Sequence, residues 1–246
     1  MNDDFDAATA AAPLLTAWQG GARPQGLSPC PRALRDAYAV QRAVMQGLGD
    51  PGGLWKMALL EGRDRQAAVL PRRILHDSGG AALLPADAAI EVETALVLSC
   101  EPDAADPMAA IAKICLAFEL VAPRYAPGAG FTPLESMADG FRSAGVVLGD
   151  AIDGWRDGLP DRLDITLMLD GDTVSVAEAA APMDQAMDFL GWLAGHARSQ
   201  GMPLKAGDVI ITGARIGPLP LNGATHAHAT ALGARVAFDL SYRSGE

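Results

Sequence analysis

One short run places two acids in an otherwise apolar strand: Ile90-Glu91-Val92-Glu93-Thr94-Ala95-Leu96-Val97-Leu98. Positions two apart on a strand share a face, so Glu91 and Glu93 project together with Val92 opposite. Two adjacent carboxylates repel unless a cation lies between them, and a hard divalent ion takes oxygen ligands of this kind. The competing reading is a pair of glutamates facing water on an open sheet face, a common place for glutamate. A third acid bears on the choice. Glu119 stands in the apolar strand Ala117-Phe118-Glu119-Leu120-Val121-Ala122, where burial is costly without a partner. That partner is either an arginine close in sequence, with Arg124 the candidate, or the same metal ion. Three glutamates, water and a bidentate substrate complete an octahedron suited to Mg²⁺ or Mn²⁺. Lys56, in Leu54-Trp55-Lys56-Met57, is either a solvated strand residue or an ammonium tuned by its apolar neighbours.

The elements that must position these side chains follow from periodicity. Alanine-rich residues 7–15 read as a helix. Residues 31–47 read as a second, with Leu34, Ala37, Tyr38, Gln41 and Met45 near helical spacing. Gly49, Pro51, Gly52 and Gly53 end it. Strands are expected over 54–59, 90–98, 115–124 and 146–148, with a helix over 107–114. Asp170-Gly171 between 164–169 and 173–176 is a hairpin signal. A helix over 182–199 carries Met183, Ala186, Leu190, Leu193 and Ala197 on one face and stops at Gly201. Strands over 209–212 and 235–242 finish the chain. Runs of strands without βα alternation predict an α+β fold with a mixed or antiparallel sheet. The expected division is a helical segment, 1–52, packed on a strand-rich body, 53–246.

Composition excludes several classes. The 246 residues carry a formal net charge of -11, unsuited to nucleic acid or to an anionic membrane. No apolar run is long enough to span a bilayer, and the start, Met1-Asn2-Asp3-Asp4, shows no secretory pattern. Cys30, Cys100 and Cys115 form neither a disulfide framework nor a zinc site, so a reducing cytoplasm is expected. His196, His226 and His228 lack zinc-site spacing to a carboxylate. Gly213-Ala214-Arg215-Ile216-Gly217 lacks the strand–helix context of a dinucleotide fingerprint.

Glu-x-Glu on a strand, followed about 26 residues on by Glu119-Leu120-Val121-x-x-Arg124, resembles the metal site of the fumarylacetoacetate hydrolase superfamily. Within it, the chain is similar to the 2-hydroxypenta-2,4-dienoate hydratase and 4-oxalocrotonate decarboxylase branch. Leu54-Trp55-Lys56-Met57 matches the strand that carries that family's lysine. Ala138-Asp139-Gly140 through Gly149 matches its Ala-Asp-Asn segment, and Ala206 through Ala214 its Gly-Asp-x-Ile-x-Thr-Gly segment. The matches keep family order over about residues 34–242. Two positions depart: the asparagine is Gly140, and the acid of a Pro-Asp-Phe/Tyr-Gly motif is missing from Pro71-Arg72-Arg73-Ile74-Leu75-His76-Asp77.

The resemblance implies a mixed β-sheet roll with an amino-terminal helical segment. It implies Glu91, Glu93 and Glu119 as ligands of Mg²⁺ or Mn²⁺, and Lys56 as a catalytic residue, with His76 or Asp77 standing in for the missing acid. Arg124, Thr212 and Gly213 would bind substrate. The implied activity is a metal-dependent hydratase or decarboxylase acting on a small 2-oxo acid. The alternatives are an acylpyruvate-type C–C hydrolase and a non-catalytic partner subunit. The implied assembly is a homo-oligomer, with a complex with a paralogous decarboxylase or hydratase as a further option.

Overall fold

The computed structural model describes residues 5–60, 64–160, 162–180 and 183–243. The two expected leading helices are α1 (Ala7–Trp18) and α2 (Leu34–Leu48). Asp6 caps α1, and on α2 Ala37, Val40, Val44 and Met45 fall at the three-and-four spacing of a buried face. Gly49 ends α2 with a φ of 60°, in the left-handed region that suits glycine at a helix C-terminus.

Strands dominate the rest. The larger sheet runs β2 (Asp64–Leu70), β1 (Leu54–Leu60), β10 (Val209–Ile211), β5 (Ala89–Leu98), β6 (Ile111–Val121), β7 (Ser143–Ala151) and β3 (Leu75–Asp77). Strand β11 (Ile216–Pro220) also pairs with β5. The smaller sheet runs β4 (Ala81–Leu84), β13 (Ala234–Tyr242), β12 (His226–Ala231), β8 (Arg162–Leu169) and β9 (Asp172–Ala180). Strand β1 is parallel to β10, and β3 to β7, while β6 is antiparallel to both its neighbours, β5 and β7. The mixed, α+β architecture is the expected one. Asp170 (φ 50°) and Gly171 (φ 92°) make the β8–β9 hairpin turn with two positive φ angles, as a tight hairpin needs.

One expectation fails here. Residues 107–114 do not form a helix. Pro107–Ala110 is one 3₁₀ turn capped by Asp106, and Ile111 already begins β6. Ile111 and Ile114 are β-branched and face Leu98 and Leu96 across the β5–β6 ladder, which favours the strand. Residues 122–124 lie beyond β6, and the stretch around 146–148 extends to the nine residues of β7.

The larger sheet is apolar on both faces. One face packs on the smaller sheet and on α4 (Met183–Ser199) through Trp55, Val92, Phe118, Val147, Phe238 and Leu193. Gly149 permits this contact: a Cβ there would lie 2.6 Å from both the Arg235 carbonyl oxygen and Val236 Cβ. The other face holds Leu54, Ala68, Ala95, Ala117, Val146 and Ile211, with Trp18 and Phe141 packed against them. Helices α1 and α2 share their own cluster with Tyr125 and with Met137 and Ala138 of α3 (Pro133–Ala138). Gln41 of α2 ties that layer to the body, donating to the Met137 carbonyl at 2.7 Å and accepting from Val69 N–H at 3.3 Å.

Candidate metal centre

Register decides which side chains meet. Glu91 pairs directly with Glu119, and Glu93 with Ala117. Directly opposed residues share a face, so all three acids lie on the face of Ala95 and Ala117, away from the smaller sheet. Lys56 pairs with Ile211, which pairs with Ala95, and shares that face. Lys56 is three strands from Glu119 in the pairing order, about 14 Å on a flat sheet. Its Nζ nevertheless donates to Glu119 Oε1 at 2.7 Å and Oε2 at 2.6 Å, and lies 4.0 Å from Glu91 Oε2. The sheet therefore curls round this face, and the alanines at 68, 95 and 117 leave room for the lysine stem.

Glu91, Glu93 and Glu119 each offer an oxygen, all within 4.8 Å of one another. Glu93 and Glu119 are 0% exposed, Glu91 and Lys56 8%. Ser143 donates a short hydrogen bond to Glu119. The Gly213 N–H donates to Glu93 Oε2 at 2.7 Å, while Glu93 Oε1 is buried with no hydrogen-bond partner. That orphaned oxygen, beside two further carboxylates, suits a hard divalent cation. The charges agree. Burial, reinforced by Glu119, pushes Glu91 up to about 7, and the same causes hold Glu93 well above the usual carboxylate range. Burial also raises Glu119, but Lys56 and Ser143 outweigh it and keep that carboxyl below its ordinary value. Burial lowers Lys56, and the three glutamates more than reverse this. One ammonium thus secures one carboxylate, and the other two need a further positive charge.

The segment that supplies Gly213 breaks the sheet edge. Strands β10 and β11 pair with different stretches of the same edge of β5, Ala95–Val97 and Ala89–Val92. Between them Thr212 N–H bonds the Thr94 carbonyl and Arg215 N–H the Val92 carbonyl, so residues 213 and 214 bulge out beside Glu93. Gly213 has a φ of 102°, open to glycine and rarely to other residues. The Thr212 hydroxyl donates to the Thr94 carbonyl at 2.9 Å and accepts from Arg215 at 3.3 Å.

Other expected residues are not brought to the carboxylates. Glu119 takes Lys56 as its ion-pair partner, not Arg124. Arg124 is buried against Asp139 in an ion pair, and its guanidinium lies 4.3 Å above the Trp18 ring. His76 pairs with Val147 on the opposite face, its ring centroid 5.2 Å from that of Phe238. Asp77 shares the carboxylate face but is exposed on edge strand β3, two strands beyond β6. Ser143, which bonds Glu119, carries no signal in the sequence.

No family model matches the chain. It is 34% identical over 135 residues to a 2-keto-4-pentenoate hydratase of Burkholderia vietnamiensis. That match covers 53% of this chain and 51% of the hydratase, so the likeness spans about half the length of the curated relative. In structure, the chain is similar to a 4-oxalocrotonate decarboxylase from Pseudomonas putida G7 complexed with magnesium and adipate. The TM-score is 0.76 at 19% identity, over 95% of this chain and 96% of that one. It is also similar to a maleylpyruvate hydrolase from Sphingobium sp. SYK-6 in complex with manganese and pyruvate, with a TM-score of 0.52 at 19% identity over 78% and 70% of the two chains. The fold is thus α+β and fumarylacetoacetate-hydrolase-like.

Proposed function

We propose that this chain is a metal-dependent lyase, a hydratase or decarboxylase that acts on a small 2-hydroxydienoate or 2-oxo-enoate. The observation that carries this reading is the buried Glu91–Glu93–Glu119 cluster with Lys56 on Glu119. Glu91, Glu93 and Glu119 would hold Mg²⁺ or Mn²⁺, which would supply Lewis-acid polarisation to a bound 2-oxo acid. Gly213 N–H and Ser143 Oγ hold Glu93 and Glu119 by hydrogen bonds from outside the cluster, which fixes how they present their remaining oxygens. Lys56, raised in pKa and nearly buried, stays an ammonium at neutral pH. It donates a hydrogen bond, and then a proton, to the 2-oxygen as negative charge develops there. Gly213, on the bulge beside Glu93, lines the substrate's place, and Thr212 anchors that bulge through the Thr94 carbonyl.

Supporting this are the partial sequence likeness to the hydratase and the fold of the decarboxylase. The hydrolase neighbour keeps acylpyruvate C–C hydrolysis as a second reading. Because His76 and Asp77 lie away from the cluster, a non-catalytic partner subunit remains the third. Three free cysteines fit a cytoplasmic enzyme. The test is turnover of 2-hydroxypentadienoate, 4-oxalocrotonate and acylpyruvates with added Mg²⁺ or Mn²⁺. Activity on either of the first two, abolished by chelator, is expected. Metal binding without turnover of any would refute the lyase reading.

A further inference from the structure

A cleft of about 580 Å³, its open mouth included, lies at one end of the larger sheet. It opens on the opposite side of that sheet from the metal centre. Ala122 and Ala144 line it. Val121 pairs with Ser143 on the carboxylate face, so alternation turns Ala122 and Ala144 to the other face, and both pack there with the core between the sheets. The walls are apolar: Trp18 at the end of α1, and Leu84 and Pro85 at the end of β4. Leu83 also lines the cleft and is 56% exposed, a large apolar side chain left in water at its rim. Three guanidiniums share the same cleft, those of Arg23, Arg124 and Arg243. Arg23 donates to the Tyr125 carbonyl at 2.7 Å and to Asp87 at 2.9 Å. Arg124 pairs with Asp139 and lies 4.3 Å above the Trp18 ring. Arg243 is exposed, and among the described residues it forms no ion pair. Its backbone N–H donates to the Leu84 carbonyl at 2.9 Å, which roots it at the rim.

Charge and shape then favour one class of ligand. Three guanidiniums face two carboxylates, Asp87 and Asp139, which leaves one positive charge at a cleft with apolar walls. The chain as a whole has a formal net charge of -11, so this cluster runs against its general trend. Like charges brought to one cleft repel, and an anion between them relieves the repulsion. We infer that the cleft is a second ligand site, one that takes a small monocarboxylic acid with an apolar body. The carboxylate accepts two N–H bonds from the Arg243 fork, with Arg23 and Arg124 adding their field. The body of the acid lies against Trp18, Leu83, Leu84 and Pro85, with the apolar lining and few polar groups usual in small-molecule sites. A single net charge answers one carboxylate, and a phosphate ester or a diacid would bring an excess. The site is independent of the 2-oxo acid reading above, since neither the three glutamates nor Lys56 takes part in it.

The test is calorimetry with benzoate on protein kept metal-free by a chelator, so that the glutamate cluster holds no ion to draw an acid. Benzamide, of the same shape but uncharged, is the control. Wild type should bind benzoate about 10-fold or more tighter than benzamide, the scale of one charge-assisted contact. Arg243→Met should weaken benzoate by about the same factor while leaving Mn²⁺ affinity within about 2-fold. Arg243→Lys, which keeps the charge but not the fork, should recover part of the loss. Leu83→Ser should weaken benzoate about 3-fold or more through the apolar contact alone. Both positions are exposed, so neither change removes a core contact. No binding of benzoate at millimolar concentration would overturn the inference, as would benzamide bound as tightly as benzoate. Affinity unchanged by Arg243→Met but lost in Lys56→Met would place the acid at the metal centre and overturn it too.

Discussion

Replacing Lys56 with methionine keeps the bulk of the side chain and removes the one cation that, among the described residues, is bonded to the carboxylate cluster. Glu119 is fully buried, and both its oxygens accept from Lys56. Without metal, the variant must leave that carboxylate unpaired or protonate it. Removing one partner of a buried pair costs about 3–5 kcal/mol. Protonation sets a ceiling: a carboxyl of ordinary pKa 4.5 costs about 1.4 kcal/mol per pH unit to keep neutral, or about 3.4 kcal/mol at pH 7. The two routes agree on about 3 kcal/mol. For a chain of this size that is a fall of about 10 °C in Tm. The sign with pH follows. Wild type holds Glu119 ionised with its pKa below the ordinary 4.5, so this group adds no pH dependence above that value, whereas the variant must keep the carboxyl neutral at a cost that grows as pH rises above 4.5, so the deficit widens from pH 5 to pH 8. Saturating Mn²⁺ should recover most of the loss, because the ion supplies the missing charge. Turnover should still fall about 10²-fold or more, mainly in kcat, the scale of one positioned proton donor. Calorimetric scans with chelator and with Mn²⁺, plus steady-state kinetics, give both numbers. A metal-free variant as stable as wild type would refute Lys56 as the internal counter-charge, and an unchanged kcat would refute its part in the chemistry.

Glu91→Gln and Glu119→Gln should each weaken Mn²⁺ binding about 10-fold or more by calorimetry, and wild-type affinity in both would rule out this ligand set. Arg124→Met strands the buried Asp139 and should cost about 3 kcal/mol of stability while leaving Mn²⁺ affinity within about 2-fold. If stability holds and 2-oxo acid binding fails instead, Arg124 belongs to the substrate. Sedimentation at micromolar concentration should show a species larger than the 25.5 kDa chain, and a monomer throughout would refute the proposed homo-oligomer.

Local pattern made a good part of this molecule legible. Periodicity announced α2, α4 and β5, and Asp170-Gly171 announced the β8–β9 hairpin. The two-residue spacing of Glu91 and Glu93 and the isolation of Glu119 pointed to the three acids that the fold brings together. What stayed hidden depends on pairing between distant segments. Nothing near Glu119 reveals that its partner is Lys56, because that meeting depends on a curl across three strands. His76 and Asp77 are neighbours in sequence, yet the register of β3 on β7 sends them to opposite faces. Residues 107–114 carry apolar spacing compatible with a helix, and only the β5 edge turns Ile111 and Ile114 into a strand. No strand is expected over 226–231, because β12 alternates His226 and His228 with small alanines.

The bulge at Gly213 also bears on how the molecule assembles. Gly213 meets Glu93 across 120 residues of chain, and Lys56 meets Glu119 across 63. Contacts of such sequence separation form slowly, since the loop entropy must be lost before the contact returns any gain. No short stretch of the chain contains the ligand set together with its supports. The cluster is therefore completed only when β10 docks between β1 and β5, late in folding. A divalent ion acts on this chain as a latch for the finished sheet rather than as a seed for it: added during refolding, it should slow unfolding far more than it speeds folding.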